Sequence, residues 1–485
     1  MGEGQGFREN YRSASGDIRA EAAWQKLVKS GPPERPAEAA FNLGVLLQRR
    51  GAQKEARAAY ERAIDAGHPD YSPVAAFNLG ALLNRQGDYP GARTAYQRAA
   101  DSAHPQVAAA AARNLGLLLE KQGDVDGARA AYDQAIGSGH PEEATAAGVN
   151  LALMLRERGD FAGAAQAMRQ VISSGHAEHA AAAGVDLGEL LAEQGDMAGA
   201  KAACQEVIDS GHVQHAPTAA MNLGIRLGRD GDLNGARAAY LAAISFDHPD
   251  LSPAAANNLG KLLHDRGDTA GARAAWQQAI DSGHRQWAPN AAASLGALLK
   301  VEGDFPGAHA LYRLAIDSGD SDAEPNAEYN LGVMLYQQGD LEAAKAAYRR
   351  AIASNHPEHA PPAARNLGNT LSEQGDLAGA EAAWKIAIRS GHPAHAPATA
   401  VNLGNQLRAH GDLAGARAAY QVALDAGNQN VVSKAAVNLG NLLRQQGDAD
   451  GARDAYQIAI QSGEPEVAAL AARARATLPS SDGGA

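Results

Sequence analysis

The 485-residue chain has little that would suit an oxidising compartment, a membrane or a nucleic-acid partner. Its one cysteine, Cys204, excludes an intramolecular disulfide framework. It has no apolar run of about eighteen residues and no apolar stretch near its start, so we expect a cytoplasmic protein. The net charge of -12 gives no general attraction to nucleic acid or to an anionic membrane. We therefore expect neither as a partner.

Aromatic residues are also scarce. They make up 5% of the chain, whereas hydrophobic residues, many of them alanine, make up 45%. This composition favours an extended stack of closely packed helices over one large core. The chain also lacks a Gly-rich phosphate loop, a nucleophile elbow, a zinc-protease signature and paired catalytic carboxylates outside its repeats. We expect a non-enzymatic protein without a cofactor.

What the sequence does contain is an Asn-Leu-Gly motif that recurs with a step of 36 residues, with Ala152 in place of the glycine after Asn150. Asp186 and Ser294 fill the two gaps in the series in register. A fixed step over twelve copies predicts one supersecondary unit stacked on itself, and such stacks commonly present binding surfaces. The asparagines of the motif, the ladder asparagines, are Asn42, Asn78, Asn114, Asn150, Asn222, Asn258, Asn330, Asn366, Asn402 and Asn438.

Each unit is predicted to contain two helices. In residues 73–105, Gly87 is expected to end the first helix and Asp88 to cap the second. Tyr96 occupies a recurring aromatic position on the inner face of the second helix, where we expect it to pack in the core. Cys204 occupies the same position in its own unit and is interpreted as core filler. Helical spacing places a buried stripe in the first helix at Ala76, Leu79, Gly80 and Leu83.

The order Asn-Leu-Gly, Leu-Leu, Gly-Asp, alanine, aromatic and Ala-Ile closely resembles the tetratricopeptide repeat, over about residues 17–478. This resemblance implies an all-α fold, an α-solenoid in which helix-turn-helix repeats form a right-handed superhelix. Two features depart from the family. Alanines such as Ala40 stand where the family has a bulky aromatic, and the units of 36 residues exceed its usual length of about 34.

The repeat pattern also sets the predicted domain boundaries. Residues 1–15 and 479–485 are expected to be disordered, and 465–478 to form a C-terminal capping helix. Residues 16–464 are expected to form the solenoid, with twelve units and a partial first unit that supplies one helix around 17–29. The abundance of alanine, glycine and arginine suggests a bacterial source.

The ladder asparagines lie on one flank of the first helices. In proteins similar to O-linked N-acetylglucosamine transferase, this flank is the concave groove, and its asparagines hold the backbone of an extended peptide. An amide side chain offers donors and an acceptor together, which suits a peptide group. The alternative is that these asparagines serve helix packing or are simply solvated.

Three residues beyond the ladder, the side chains change character along the chain. They are apolar in the first half, at Val45, Ala81, Leu117, Leu153 and Ile225, and asparagines at the end, at Asn369, Asn405 and Asn441. This gradient suggests an apolar anchor first and capture of polar backbone later. We include the three asparagines in the candidate peptide-binding set.

Two charged groupings lie on the same flank. Arg49, Arg85 and Lys121 form a basic patch that would suit an acidic peptide, although mixed charge on a solvated face is the favoured interpretation. The second grouping resembles the carboxylate clamp with which some family members hold chaperone C-terminal tails. An arginine replaces the family's lysine and an asparagine replaces its arginine in this grouping, which comprises Arg365, Asn369, Asn402, Lys434 and Asn438.

Histidine is periodic as well. It recurs between repeats, as at His68 and His104, and some copies have a second histidine three residues later, as in His356 and His359. A His-x-x-His pair can chelate a metal. Because these pairs lie in turns without a third repeated ligand, we favour hydrogen bonding or packing at helix ends over a metal site.

The sequence thus favours an adaptor that binds an extended peptide or protein segment in its groove through the asparagine ladder. The alternative is a structural scaffold that self-associates, as a homo-oligomer or filament, through its end repeats or outer surfaces. The identity of the partner and its pathway do not follow from the sequence.

Overall fold

The computed structural model describes residues 14–30, 35–173, 177–462 and 464–479. The predicted disordered segments therefore lie outside the described residues, apart from three positions. Residues 14 and 15 belong to the first helix rather than to a disordered terminus, and residue 479 follows the last helix. By internal contacts, the chain divides into two compact parts between His248 and Pro249, each of which contains several repeats. From here on these parts are called unit 1 and unit 2, and the 36-residue elements are called repeats.

Every regular element within the described ranges is an α-helix. Unit 1 contains α1 (Ala14–Ser30), α2 (Arg35–Arg49), α3 (Gln53–Asp65), α4 (Tyr71–Gln86), α5 (Tyr89–Ala100), α6 (Pro105–Lys121), α7 (Val125–Gly137), α8 (Pro141–Glu157), α9 (Phe161–Ser173), α10 (Ala177–Glu193), α11 (Met197–Ser210), α12 (His215–Asp230) and α13 (Leu233–Ser245). The even-numbered helices are the first helices of the repeats and are called A helices. The odd-numbered ones are called B helices.

Unit 2 continues the same alternation. It contains α14 (Leu251–Asp265), α15 (Thr269–Asp281), α16 (Trp287–Glu302), α17 (Phe305–Asp317), α18 (Ala323–Gln337), α19 (Leu341–Ala353), α20 (Ala360–Glu373), α21 (Leu377–Arg389), α22 (Ala396–Ala409), α23 (Leu413–Asp425), α24 (Gln429–Gln445), α25 (Ala449–Gln461) and α26 (Pro465–Ala476). The final helix, α26, packs on α24 and α25 and buries Ala471 completely.

The turn inside each repeat follows the predicted stop and start signals. Gly87 ends α4 in the left-handed conformation, with φ of 79°, which only glycine adopts at low cost. Asp88 then caps α5, because its Oδ1 accepts a hydrogen bond from the Gly91 backbone N–H at 3.0 Å. The same aspartate cap recurs in the later repeats as far as Asp448. Each cap fixes the direction in which the B helix leaves the A helix.

In most repeats, the core contains a glycine of the A helix that faces an aromatic ring of the B helix. A Cβ atom placed on Gly80 would lie 2.6 Å from Cδ1 of Tyr96, so only glycine leaves room for this ring. Tyr96 is 3% exposed, and the predicted stripe of Ala76, Leu79 and Leu83 is buried beside it. Cys204 takes the place of the ring in its repeat, and its Sγ lies over Gly188. Small residues on the A helix therefore allow the B helix to pack closely.

Adjacent repeats join through their A helices. Within each unit, B helices such as α5 and α15 pack on the A helix of their own repeat and on the A helix that follows, and A helices such as α4 and α6, or α16 and α18, contact each other directly. Side chains on the A helices of neighbouring repeats can therefore lie next to one another. This arrangement places the candidate site.

Candidate functional site: the asparagine face

All ten ladder asparagines lie on A helices and are half-buried. In each unit, the surface that the A helices form around these asparagines is called the asparagine face. What distinguishes the individual asparagines is the set of hydrogen bonds that each one makes.

Towards the C-terminal end of unit 2, the side chain of Asn369 accepts hydrogen bonds from two residues. Asn369 Oδ1 accepts a hydrogen bond from the indole Nε1 of Trp384 at 3.0 Å, and a second from Nδ2 of Asn402 at 3.2 Å. The first donor belongs to the same repeat, whereas the second belongs to the next. Asn369 therefore couples the core ring of one repeat to the ladder of its neighbour.

The following repeat has the same arrangement with tyrosine in place of tryptophan. Asn405 Oδ1 accepts from the Tyr420 hydroxyl at 2.7 Å and from Nδ2 of Asn438 at 3.0 Å. In the last repeat, Asn441 Oδ1 accepts from the Tyr456 hydroxyl at 2.8 Å. These bonds fix which end of each ladder amide faces its neighbour. Asn402 and Asn438 each use one of their two amide N–H groups in these bonds.

Other ladder asparagines also make bonds between repeats. Asn222 Nδ2 donates to Glu189 Oε1 at 2.7 Å, and Asn330 Oδ1 accepts from Lys300 Nζ at 3.1 Å. Burial raises the pKa of the Tyr96 hydroxyl, and its hydrogen bond with Asn114 acts in the opposite direction. Tyr348 and Asn366 are related in the same way. The ladder therefore joins repeats in addition to presenting amides to the surface.

Sequence reasoning treated the recurring aromatic residues as packing groups only and so missed their part in this network. A detectable signal was present, because Asn369, Asn405 and Asn441 each precede their aromatic partner by 15 residues. Where the residue 15 positions before a tyrosine is apolar, the tyrosine hydroxyl can donate to a different residue of the A helix. Tyr60 donates to Gln48 Oε1 at 2.7 Å, in a repeat that has Val45 at this position.

Unit 1 differs from unit 2 in the residues that line the asparagine face. Leu117 and Leu153 are 40% and 49% exposed. Arg49, Arg85 and Lys121 are all exposed, and Lys121 Nζ lies 5.3 Å from the centroid of the Tyr89 ring. Leu117 and Lys121 are four residues apart on α6, and so lie side by side. Apolar and cationic groups thus adjoin on this part of the face.

The five clamp-like residues are only partly brought together. Asn369 and Asn402 are hydrogen-bonded, but Asn438 pairs with Asn405 instead. Arg365 is half-buried near His395, whose pKa is lowered by burial first and by the Arg365 charge second. Lys434 is exposed on α24.

The histidines between repeats act at helix ends, as predicted. His356 Nδ1 accepts from the Glu358 backbone N–H at 3.2 Å, and its Nε2 lies 3.2 Å from Asp322 Oδ1 in the preceding turn. His392 repeats both contacts, with Glu358 as the carboxylate. Across the described ranges, no cluster of three potential ligands has the geometry of a metal site. The carboxylate partners were not foreseen from the sequence.

Cys204, the one cysteine, is buried in the core. Burial raises the pKa of its thiol to about 11, and the nearby Glu189 carboxylate acts in the same direction. A protonated, enclosed thiol is a poor nucleophile. The interpretation of Cys204 as core filler is confirmed.

Comparison with known families agrees with the repeat architecture. Tetratricopeptide repeat models match residues 19–72, 77–144, 149–213, 221–291, 294–360 and 365–431, and a further one matches residues 434–457. Because these matches cover well over half of the sequence, the chain belongs to the tetratricopeptide repeat family. Its repeats are those of protein-interaction and scaffold modules. No curated protein matches the sequence.

Solved structures with similar coordinates include three helical repeat proteins. A protective antigen of uropathogenic Escherichia coli with an SLR fold, c5321, is 18% identical, with a TM-score of 0.44 over 96% of this chain and 99% of its own. Yeast Tom70 is 14% identical, with a TM-score of 0.40 over 91% and 96%. PilF of Pseudomonas aeruginosa is 22% identical, with a TM-score of 0.37 over 46% and 99%.

The helices were also compared with the length and hydropathy that a bilayer requires. In the part of the chain that the structure describes, no helix is both long enough and apolar enough to span a membrane.

Proposed function

We propose that this protein is a non-enzymatic adaptor that binds an extended protein segment along its asparagine face. The observation that supports this most directly is the ordered row of amides formed by Asn369, Asn402, Asn405 and Asn438. Each ladder amide in the row is held by its neighbour through one N–H, and its second N–H and its carbonyl oxygen would bind the ligand. A peptide group needs one of each, whatever its side chain.

Preorganisation strengthens this argument. An amide that is already fixed loses little side-chain entropy when it binds a ligand, so each hydrogen bond contributes more to affinity. The Asn402 and Asn438 amides are fixed by the acceptors Asn369 and Asn405, which are in turn fixed by Trp384 and Tyr420. These amides of unit 2 would therefore bind the peptide backbone of the partner segment.

Unit 1 would provide a different contact. The exposed leucines Leu117 and Leu153 would receive apolar side chains, and Arg49, Arg85 and Lys121 would attract acidic residues. A segment that combines apolar and acidic side chains fits this part of the face. Binding of such a segment should weaken as salt concentration rises.

Capture from host lysate tests the ladder. The intact chain is compared with a triple variant in which Asn366, Asn402 and Asn438 become alanine, and captured proteins are identified by mass spectrometry. The matched control replaces three exposed B-helix residues of the same unit, Gln277, Lys385 and Gln421, by alanine. Loss of a partner from the triple variant but not from the control supports the ladder. Equal capture by all three proteins would exclude it.

A second candidate function is a self-associating scaffold. It is favoured by an apolar row on the outer B helices, where Ile386, Val422 and Ile458 are 42%, 45% and 40% exposed at the repeat spacing. Leu470 on the terminal α26 is 56% exposed. Light scattering over a hundredfold range of concentration, about 1 to 100 µM, tests this function. A scaffold grows in mass and loses that growth on Leu470→Gln, whereas a constant monomer mass excludes it.

A further inference from the structure

The last three B helices of unit 2 carry an apolar row on their exposed surface. Ile386 on α21, Val422 on α23 and Ile458 on α25 are 42%, 45% and 40% exposed. They occupy one repeat position, 36 residues apart, so equal steps separate them along adjacent repeats. These three residues are called the outer row. A consecutive set of exposed apolar side chains indicates a contact with another protein surface.

Packing within the repeats does not require an apolar residue at this position. Its occupants in unit 1 include Arg62, Arg98, Gln134, Gln170 and Glu206. There Gln134 Nε2 donates a hydrogen bond of 3.0 Å to the backbone oxygen of Ala100, on the preceding B helix. The fold thus accommodates a polar side chain at this position, and the apolar outer row is a feature of the surface rather than of the core.

The charges beside the outer row change sign along it. α21 contains two cationic side chains and one anionic one, α23 contains one of each, and α25 contains one cationic side chain and two anionic ones. Lys385 directly precedes Ile386, and Asp454 lies one helical turn before Ile458. Both charged residues are exposed. The row is therefore positive at α21, neutral at α23 and negative at α25.

The surface around the outer row is open to another chain. Ala382 and Ala418 lie one turn before the row residues of α21 and α23, and both are exposed, so these positions add little bulk beside the row. Lys385 Nζ pairs with Glu381 Oε1 at 2.6 Å, but this ion pair is exposed and costs little to exchange. Side chains of a second molecule can therefore reach both the apolar row and its charges.

We propose that two copies of this chain form a two-fold symmetric dimer through the outer row. A two-fold axis at Val422 sets this residue against itself, and the equal steps then set Ile386 against Ile458 of the second copy. The same operation brings α21 against α25 of the second copy, so Lys385 approaches Asp454, and this pairing occurs twice. An arrangement of α21 on α21 would oppose like charges.

The symmetry makes the assembly closed. Each copy uses its outer row once, so growth stops at two chains. This inference rests on the second candidate function, whose contact surface and partner it specifies, and it does not depend on peptide binding by the asparagine face. A contact built on three partly exposed side chains is small, so its dissociation constant should be on the order of 10 µM.

Light scattering of the full chain from about 1 to 100 µM gives the first test. The molar mass is expected to rise from that of one chain to that of two and then to stay constant, and Leu470→Gln should not change this curve. A mass that continues to grow beyond two chains would support an open scaffold and overturn the dimer. A constant mass of one chain would exclude the dimer and the scaffold together.

Val422→Asp tests the centre of the contact, because it sets two carboxylates against each other across the axis. The dissociation constant should rise at least about tenfold. Gln278→Asp is the matched control, since it adds the same charge at the same repeat position of α15, outside the outer row. Far-ultraviolet circular dichroism checks that both variants keep their helices. Equal dimerisation of the two variants would refute the contact at Val422.

Charge reversal followed by mixing decides the direction of the pairing. Lys385→Glu opposes two anions at each end of the contact, and Asp454→Lys opposes two cations, so each variant alone should dimerise at least about tenfold more weakly than the intact chain. In an equimolar mixture, one chain of each kind restores opposite charges at both ends. Recovery of the two-chain mass in the mixture, but in neither variant alone, is the expected result. A mixture that associates as weakly as its components would overturn the proposed dimer.

The outcome is separable from that of the asparagine ladder. The triple variant at Asn366, Asn402 and Asn438 should dimerise like the intact chain, because these residues lie on A helices and the outer row lies on B helices. Loss of lysate capture with an intact dimer would remove only the adaptor function. A monomeric chain that still captures a partner through its ladder would remove the dimer and the scaffold and keep the adaptor.

Discussion

The side-chain amide of Asn402 donates a hydrogen bond to Oδ1 of Asn369, across 33 residues of sequence and one repeat boundary. The same oxygen accepts the indole N–H of Trp384, so one amide oxygen serves the core of its own repeat and the surface of the next. Alterations of the core can therefore affect the surface that is proposed to bind a partner. This link can be tested on the folded protein.

Asn369→Ala should destabilise unit 2 by about 1–3 kcal/mol, because it leaves the Trp384 N–H with only a longer bond of 3.3 Å to the Arg365 carbonyl. Urea unfolding followed by tryptophan fluorescence measures the change in the free energy of unfolding. Gln421→Ala is the control, because its bond to Asp425 lies on an exposed surface and should contribute under about 0.5 kcal/mol. Similar decreases in unfolding free energy for both variants would show that the buried hydrogen bond of Asn369 contributes no more to stability than the exposed bond of Gln421.

Gly80→Ala should be destabilising by about 1–3 kcal/mol, because the new methyl group would lie 2.6 Å from the ring of Tyr96. Gly137→Ala is the matched control. That glycine is the last residue of α7, where an added Cβ meets no atom within 4 Å. The control should be neutral or slightly stabilising, since alanine is the better helix former. Thermal unfolding of the two variants compares them directly, and a tolerated Gly80→Ala would argue against the close approach.

Arg350→Ala should cost about 3 kcal/mol, because it leaves the carboxylate of Glu328 buried without its partner. The Glu328 side chain is 2% exposed and accepts a bond of 2.9 Å from Nη2 of Arg350. Other repeats carry alanine at this place, as at Ala292 and Ala364, so the double variant Glu328→Ala/Arg350→Ala should recover much of the loss. Unfolding free energies of the two single variants and the double variant test this. A double variant no more stable than Arg350→Ala would contradict the account.

Acidification should weaken unit 2 through His359. Burial, and then the neighbouring His356, lower the pKa of His359 to about 4, against the opposing effects of Glu358 and Asp322. An unfolded histidine has a pKa of about 6.5, so the unfolded state takes up this proton first as pH falls. The contribution of His359 to stability is therefore complete above about pH 6.5 and is lost progressively towards pH 4.

The comparison that isolates this effect is His359→Gln, which cannot titrate. Unfolding free energies of both proteins are measured between pH 7.5 and pH 4.5. The intact chain should lose more stability than the variant over this interval, although His395 and His215, whose pKa values are also lowered, leave the variant some dependence. Parallel curves for the two proteins would exclude His359 as a source.

Much of the local structure was predictable because it depends on residues close together in sequence. Gly87 and Asp88 mark the end of one helix and the start of the next, and both act as their residue types require. The buried stripe that includes Leu79 follows from helical spacing, and so does the inner position of Tyr96. These signals recur every 36 residues, so each repeat supports the interpretation of the others.

The candidate site was less predictable. The sequence located the ladder asparagines on the first helices of the repeats, where all ten lie and are half-buried. It did not predict that Asn402 would donate a hydrogen bond to Asn369, nor that Trp384 would donate to the same oxygen. Those partners depend on the rotation and spacing of neighbouring helices, which side-chain packing sets over several repeats.

The sequence by itself determined the repeat, its two helices, its caps and its aromatic core, because short-range propensities and a fixed period specify them. Only the tertiary structure decided which polar groups find partners. Trp276 and Trp384 occupy the same position in their repeats, yet the indole N–H of Trp384 donates to Asn369, whereas that of Trp276 has no hydrogen-bond partner among the described residues. Hydrogen bonds require atoms within about 3 Å, a distance that is set only when helices from neighbouring repeats have packed together.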